Sequence, residues 1–419
     1  GGVVLLLLIV SLTFKAFVTY FQVKFIHMFQ YSISRRLIEG YLHQPYSWFL
    51  NRNSADLGMT VLEEVGTVIG GGLSPFMELI STGLVSFGLI ILLIIVDPEL
   101  TIVIMLIFGG AYSIIYFFTR KYLYRKSKER LQNNELRFRI LSEAFGAAKE
   151  IKLKGLEKVY TKKFSDPSLI VALNSALSAS ISLLPRFFIE AVAFGGIMLL
   201  VLYLMKGSSI SSILPIISLY VFAGYRLMPA LQQIYSSFSK INVTGPSLDK
   251  IYGDLKSLKP INFNQNKDIL LFSKDITLKN VHYDYPNSGR TILKDININI
   301  KAKTTIGLVG STGSGKTTIV DIILGLLQPQ KGNLKVDEEN ITAKNLKAWQ
   351  NSVGYVPQFI YLSDDTISAN IAFGIEAKNI DQERIEKVSK IANLHSFIVD
   401  ELPAKYLTKV GERGVRLSG

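Results

Sequence analysis

The sequence predicts a polytopic α-helical membrane domain followed by an α/β phosphate-loop domain. Three observations carry this: long apolar stretches confined to the region before residue 240, a change to short strands and turns from Ser273 onward, and the octapeptide GSTGSGKT at Gly310–Thr317. The chain has 419 residues, 48% of them hydrophobic, a mean hydropathy of +0.30 and a formal net charge of +13. That length suits two or three domains. A basic excess of this size points either to nucleic acid or to an anionic membrane surface. The chain contains no cysteine, which excludes disulfides, zinc knuckles and thiolate catalysis within it.

Five apolar stretches run over Val3–Ile26, Ile69–Val96, Leu100–Phe118, Phe187–Met205 and Ile213–Ile234. Each is near the roughly 20 residues that a helix needs to cross a bilayer. Buried helices of a soluble protein fit poorly with a segment such as LISTGLVSFGLIILLIIV. The first stretch has no initial methionine, no charged flank and no small-residue cleavage site, so a signal peptide is not expected; a start cut into a longer chain is.

Charge orients these spans. Arg35, Arg36 and Arg52 follow the first, and Arg120, Lys121, Arg125, Lys126, Lys128 and Arg130 follow the third. Lys149, Lys152, Lys154, Lys158, Lys162 and Lys163 extend the second basic block. The Asp97-Pro98-Glu99 turn and the turn from Lys206 to Ser212 are short and nearly free of basic residues. The positive-inside rule therefore puts both long basic loops and the C-terminal domain in the cytoplasm. Solvated next to anionic headgroups, these residues account for the charge without a nucleic-acid partner. Interleaved charged and apolar positions over 120–165, free of proline, predict helices that continue past the membrane. Their tips fall at Pro45–Leu57 (PYSWFLNRNSADL) and Glu150–Tyr160 (EIKLKGLEKVY). A polar stretch, Lys259–Lys267, reads as part of a linker, which divides the chain into a membrane domain at 1–258, a linker at 259–272 and a second domain at 273–419.

The octapeptide fits G-x-x-x-x-G-K-[ST] at every fixed position. It lies between an expected strand, Thr305–Val309, and an expected helix, Thr318–Leu327. Backbone amides of Gly310, Ser311, Thr312, Gly313, Ser314 and Gly315 can curl around a polyphosphate, and the helix N-terminus adds its positive dipole end. Lys316 would reach the β- and γ-phosphates, Thr317 would ligate Mg²⁺, and Thr318 continues the site. The expected ligand is a nucleoside triphosphate with Mg²⁺.

Further motifs follow in order. Tyr285 lies in YDYP upstream of the loop, and Gln358 ends VGYVPQ after it. Then come IYLSDDTISANIAFG, TKVGERG at Thr408–Gly414, and Leu417-Ser418-Gly419 at the end. Together with a membrane half, this ordered set resembles the exporter-type ATP-binding cassette (ABC) transporters over the whole chain. The resemblance implies about five of six membrane helices and a partial cassette with antiparallel β and helical subdomains. It implies that Tyr285 stacks on adenine, although a strand aromatic packed in a core is the alternative. Gln358 matches the Q-loop glutamine, whose neutral amide can reach Mg²⁺ and the attacking water. TKVGERG resembles the exporter X-loop. Ser418 and Gly419 resemble the start of the LSGGQ signature, which faces the γ-phosphate held by a second chain. A homodimer of half-transporters is expected, though a heterodimer would look the same. The family's Walker B aspartate, catalytic glutamate and switch histidine follow the signature, so ATP hydrolysis is expected of the intact protein and not of these residues alone. His282 and His395 do not match the switch.

The two tips match the family's coupling helices, with Tyr46, Trp48 and Phe49 as an aromatic anchor. PRFFIEAVAFGG and ISLYVFAGYRLMPALQQI resemble the bacterial flippases of lipid-linked oligosaccharides in protein N-glycosylation. This implies ATP-driven flipping of an amphipathic substrate by a multi-pass protein of the bacterial cytoplasmic membrane. Arg186, Glu190 and Arg226 are the expected substrate-path residues, because intramembrane charge faces a cavity or a partner. Arg186 and Arg226 would meet a lipid pyrophosphate; alternatively Arg186 and Glu190 pair and lock the bundle. Drug, lipid or peptide export is the alternative within the same mechanism. A soluble ABC ATPase is disfavoured by the apolar spans, and a non-transporting membrane receptor or ATP-gated channel remains the other class.

Overall fold

The computed structural model describes residues 2–411 except 97, 189, 192–193, 196–197, 199–209, 259–267, 287–288, 290 and 359, with backbone only at 100, 103, 104, 107, 210–223 and 226. The first half is helical. It comprises α1 (Gly2–Leu42), the short α2 (Tyr46–Phe49), α3 (Ser54–Met59), α4 (Val65–Val68), α5 (Ser74–Val96), α6 (Pro98–Gly146), α7 (Ala148–Lys154), α8 (Glu157–Leu183) and α9 (Ile210–Ser257). Two π-helical turns, Thr60–Glu64 and Ile69–Leu73, join α3, α4 and α5 into one rod.

Local chemistry sets the boundaries. Pro98 opens α6, where a missing N–H costs nothing and φ is already helical. The Asn53 side chain accepts from the Ala55 N–H and caps α3. Gly155, at φ 63°, closes α7 in the left-handed conformation, and Lys152 and Lys154 complement the dipole end. Both expected tips are thus short helices between long ones. The helices Gly2–Leu42, Ser54–Val96 and Glu157–Phe188 are long and apolar enough to cross a membrane. The expected span Phe187–Met205 lies mostly outside the described residues.

Near the tips the bundle has a core of Ile26, Leu37, Tyr41, Val65, Ile69 and Ile251, with Trp48 and Leu57 packed against it. Small residues let α9 approach closely. A Cβ on Gly71 would stand 2.4 Å from Thr244 Oγ1, and one on Gly40 would stand 2.5 Å from Leu258 Cδ1.

From Asp275 the period changes from helical to alternating. Strands β1 (Asp275–Asp284), β2 (Thr291–Lys301), β3 (Lys331–Val336) and β4 (Glu339–Asn340) form an antiparallel sheet in the order β2-β1-β3-β4. Leu278 pairs with Ile298 and with Leu334, placing apolar side chains on one face. The expected strand Thr305–Val309 has no hydrogen-bonded neighbour among the described residues. Val309 is 96% exposed, and β propensity makes a strand only when a partner fills the ladder. The helix after the loop, α10 (Lys316–Ile323), stops short of the expected Leu327 because Gly325, at φ 69°, turns the chain.

By internal contacts the chain divides into residues 1–266 with 274–340, and 267–273 with 341–419. The second unit carries α11 (Leu346–Gln350), α12 (Ile367–Ile371) and α13 (Gln382–Ile391). Its core is Ile367, Ala372, Ile385, Ile398, Tyr406 and Val410. The start of the TKVGERG segment is zipped onto the cap of α12: the Ile367 N–H donates to the Thr408 carbonyl at 3.0 Å, and the Val410 N–H to the Asp365 carbonyl at 3.0 Å.

Candidate functional site: a phosphate loop closed on its lysine

β2 and α10 hold the loop between them. Gly315 caps α10 at φ 89°, and a Cβ there would stand 2.6 Å from Leu293 Cδ2 on β2. Gly313 has φ 80°, a conformation that other residues adopt at a cost. A Cβ on Gly310 would meet Ser314 Oγ at 2.7 Å, a contact that a serine rotamer relieves, so the backbone requirement for glycine rests on Gly313 and Gly315. The Ser314 N–H donates to the Ser311 carbonyl at 3.2 Å, which folds the loop into a turn.

Lys316 completes the closure. Its ammonium donates to the carbonyls of Gly310 and Ser311, both at 2.8 Å, with Ser314 Oγ at 3.4 Å. The cation is thereby held at the mouth of the loop, at the N-terminus of an eight-residue helix, with Thr317 exposed beside it. Thr318 is buried, and its hydroxyl lies 3.1 Å from the Tyr285 hydroxyl. Tyr285 in turn stands edge-on to Tyr283, with ring centroids 5.1 Å apart. The structure therefore brings Tyr285 to the same helix end as Lys316, Thr317 and Thr318.

A loop with glycines at positive φ, a lysine, an exposed threonine and a half-buried aromatic suit a nucleoside triphosphate. Gly310–Thr317 and Thr318 would cradle its phosphates, Tyr285 its base, and Thr317 its Mg²⁺. Such a triphosphate, when bound, would supply the free energy of its γ-phosphate. Within α10, burial pushes the Asp321 carboxyl above its ordinary value.

Gln358 is exposed and belongs to the second compact unit. Ser418 and Gly419 lie outside the described residues, as does the Arg226 side chain. Arg186 Nε meets Glu190 Oε1 at 2.5 Å along one helix face. Tyr46 is exposed, whereas Trp48 packs against the bundle core and edge-on to Phe49 at 5.1 Å. His395 Nδ1 lies 2.8 Å from the Tyr406 hydroxyl and His282 Nδ1 3.1 Å from the Asn280 carbonyl, both ordinary structural contacts.

Sequence reasoning missed two acidic positions. Glu64, fully buried in the first π turn, accepts from Asn134 Nδ2 at 3.1 Å and from the Ser247 hydroxyl, and meets Arg130 Nη2 at 3.4 Å. Glu78 accepts from Gln233 Nε2 on α9. The available signal was a pair of acids, Glu63 and Glu64, and a lone Glu78 inside otherwise apolar sequence.

Comparison with known proteins agrees with this layout. The ABC transporter transmembrane region matches residues 1–222, and the ABC transporter family matches residues 293–414. The chain is 26% identical over 401 residues to an ATP-dependent lipid A-core flippase of Wigglesworthia glossinidia brevipalpis, covering 93% of this chain and 66% of that protein. It is 27% identical over 396 residues to the protein of the same name from Saccharophagus degradans, covering 93% and 65%. The chain thus spans about two thirds of the length of these curated relatives. A bacterial Atm1-family ABC exporter, solved with ATP bound, shares the fold at a TM-score of 0.77 and 18% identity, covering 94% of this chain and 69% of that one. A family match across more than half of the chain, on a fold with long apolar helices and a phosphate loop, shows that this chain belongs to the ABC transporters and has the exporter type of membrane domain.

Proposed function

We propose that the protein is a half-transporter that uses ATP to flip or export an amphipathic glycolipid across a bacterial cytoplasmic membrane. The phosphate loop closed on Lys316, in one chain with membrane-length helices, carries this reading. Support for a lipid substrate comes from the relatives named as lipid A-core flippases, matched over 93% of the chain. Within that class we favour a lipid-linked oligosaccharide, on the likeness of the Arg186 and Arg226 segments and the fit of guanidinium to pyrophosphate. ATP and Mg²⁺ would bind at Tyr285, Gly310–Thr318 and Gln358, with Ser418 and Gly419 of a second chain closing the site. Dimerisation is then part of the mechanism.

The test is vectorial transport by the whole protein in proteoliposomes, with and without ATP. A labelled lipid-linked oligosaccharide is one probe and a labelled lipid A-core glycolipid the other. ATP-dependent movement of the first alone supports the favoured substrate, and movement of the second alone replaces it. Movement of neither, with ATP hydrolysis intact, points to drug or peptide export instead.

A further inference from the structure

Four side chains fasten the end of α1, the first tip and the last turns of α9. Asp254 on α9 accepts a hydrogen bond from the Tyr41 hydroxyl at 2.7 Å and pairs with Arg52 Nη1 at 3.2 Å. The Arg52 guanidinium lies over the Trp48 ring, 4.7 Å from its centroid. That ring contacts Tyr41 at a centroid separation of 5.5 Å. The contacts close a circuit in which each of the four residues touches two of the others. Tyr41 is 3% exposed and Asp254 8%, so the carboxylate is largely withdrawn from water and each of its oxygens has its own partner.

Beside this circuit lies a polar cavity of about 320 Å³, lined in part by Arg52, Asp56, Glu135, Arg139, Lys250 and Asp254. Two more ion pairs bind its walls together, Arg139 with Asp56 and Lys250 with Glu135. α3, α6 and α9 are thereby cross-linked around the same point. Apolar packing alone would hold these helices at least as well, because withdrawn ion pairs are weak sources of stability. Their geometry is directional, however, and a bonded charge tolerates little displacement of its partners.

The tip and α9 differ in how they connect to the cassette. α9 ends at Ser257 and runs, through residues 259–267, into the strands of the sheet. The tip has no such covalent continuation. We propose that Asp254 is a positioning residue for transport: it fastens the first tip to the helix that leads into the cassette, so that a push on either moves both. This deepens the transporter reading and rests on it.

The experiment uses the whole protein in proteoliposomes with the two labelled glycolipids. Asp254→Asn, Arg52→Gln and the double variant are compared for transport per ATP hydrolysed, basal ATPase and thermal unfolding. Each single variant should lower transport per ATP roughly tenfold, an ordinary size for a coupling free energy, with ATPase retained in both and the thermal midpoint retained in Asp254→Asn, whereas Arg52→Gln strands the withdrawn carboxylate and should melt lower. The double variant should be no worse than either single, since both break one circuit. Unchanged transport per ATP, or additive losses, overturn the proposal.

A second measurement does not depend on the substrate. These 419 residues contain no cysteine, so spin labels at Leu50→Cys and Tyr252→Cys report the distance between tip and α9. Asp254→Asn should broaden that distance distribution. An unaltered distribution in folded protein overturns the clasp whatever the transport result. A broadened one, with neither probe moved by the unsubstituted protein, supports the clasp and counts against the substrate reading instead.

Discussion

The Lys316 ammonium lies 2.8 Å from the Gly310 carbonyl oxygen, at the far side of the loop that Lys316 itself ends. The lysine is therefore folded over the loop, with three acceptors oriented on it. Lys316→Ala should weaken ATP binding on the order of a hundredfold, because two charge-assisted contacts with phosphate are lost. Lys316→Arg should recover little, since a planar fork cannot occupy the same closed loop. Titration of the whole protein with a fluorescent ATP analogue measures both; equal affinity for Lys316→Ala and the unsubstituted protein would remove the loop from the site.

Tyr285 is tied to the same helix end by its hydroxyl, 3.1 Å from Thr318 Oγ1. If the ring serves adenine by stacking, the hydroxyl is only a tether. Tyr285→Phe should then leave ATP affinity nearly intact, and Tyr285→Ala should reduce it about two- to tenfold. Comparing ATP with inorganic triphosphate separates base stacking from loop collapse: the loss should appear for ATP alone.

Asp321 gives a pH dependence of definite sign. Burial raises its folded pKa, so the folded state binds the proton more tightly than the unfolded chain does. Its stabilising effect is fully present below the unfolded value near 4 and is lost as pH rises through the folded value. Asp321→Asn should therefore raise the thermal midpoint of the cassette at neutral pH and flatten its fall between mildly acidic and neutral conditions. A variant that melts lower at neutral pH would show that the ionised carboxylate has a stabilising role.

Glu64 is fully buried and draws its partners from α6 and α9, so its charge depends on Arg130. Removing the partner is worse than removing the charge. Arg130→Ala should cost about 3 kcal/mol by stranding a buried carboxylate, whereas Glu64→Gln, still able to accept from Asn134, should cost clearly less. Chemical denaturation in detergent, read through tryptophan fluorescence, orders the two variants.

The ring of Trp48, one of the three aromatics of the first tip, packs against the bundle core and under Arg52. Trp48→Ala should uncouple transport from ATP hydrolysis and also lower stability by about 2 kcal/mol, less than for a fully buried Trp because the ring is part-exposed. Tyr46→Ala, at an exposed position, should cost less stability than Trp48→Ala. Transport per ATP measured alongside thermal unfolding distinguishes the two effects, and unchanged coupling in both variants would exclude this tip from transmission.

Much of this was legible in sequence because it depends on neighbours in the chain. Apolar length gives the membrane helices, Pro98 gives the start of α6, Gly155 the end of the short tip helix α7, and GSTGSGKT the loop. What escaped depends on partners far away. Asp254 meets Tyr41 across 213 residues and Glu64 meets Ser247 across 183, and no local pattern distinguishes such acids from solvated ones. Thr305–Val309 erred in the opposite direction: its residues favour a strand, but a strand exists only beside another.

Arg186 and Glu190 offer the clearest choice between a structural and a substrate role. The pair is close, at 2.5 Å, yet its side chains are 52% and 31% exposed. An i, i+4 pair joins residues of one helix, so by itself it ties no two helices of the bundle together. That contact uses Nε and leaves the guanidinium edge beyond it for an anionic group. Arg186→Gln should therefore reduce glycolipid transport roughly tenfold, the order of one lost charge-assisted contact, while basal ATPase and thermal midpoint stay within error. Glu190→Gln, which frees the arginine from its competing carboxylate, should tighten binding of a pyrophosphate-bearing probe in a competition assay. A common loss of stability in both variants, with no change in probe binding, would assign the pair to the bundle instead.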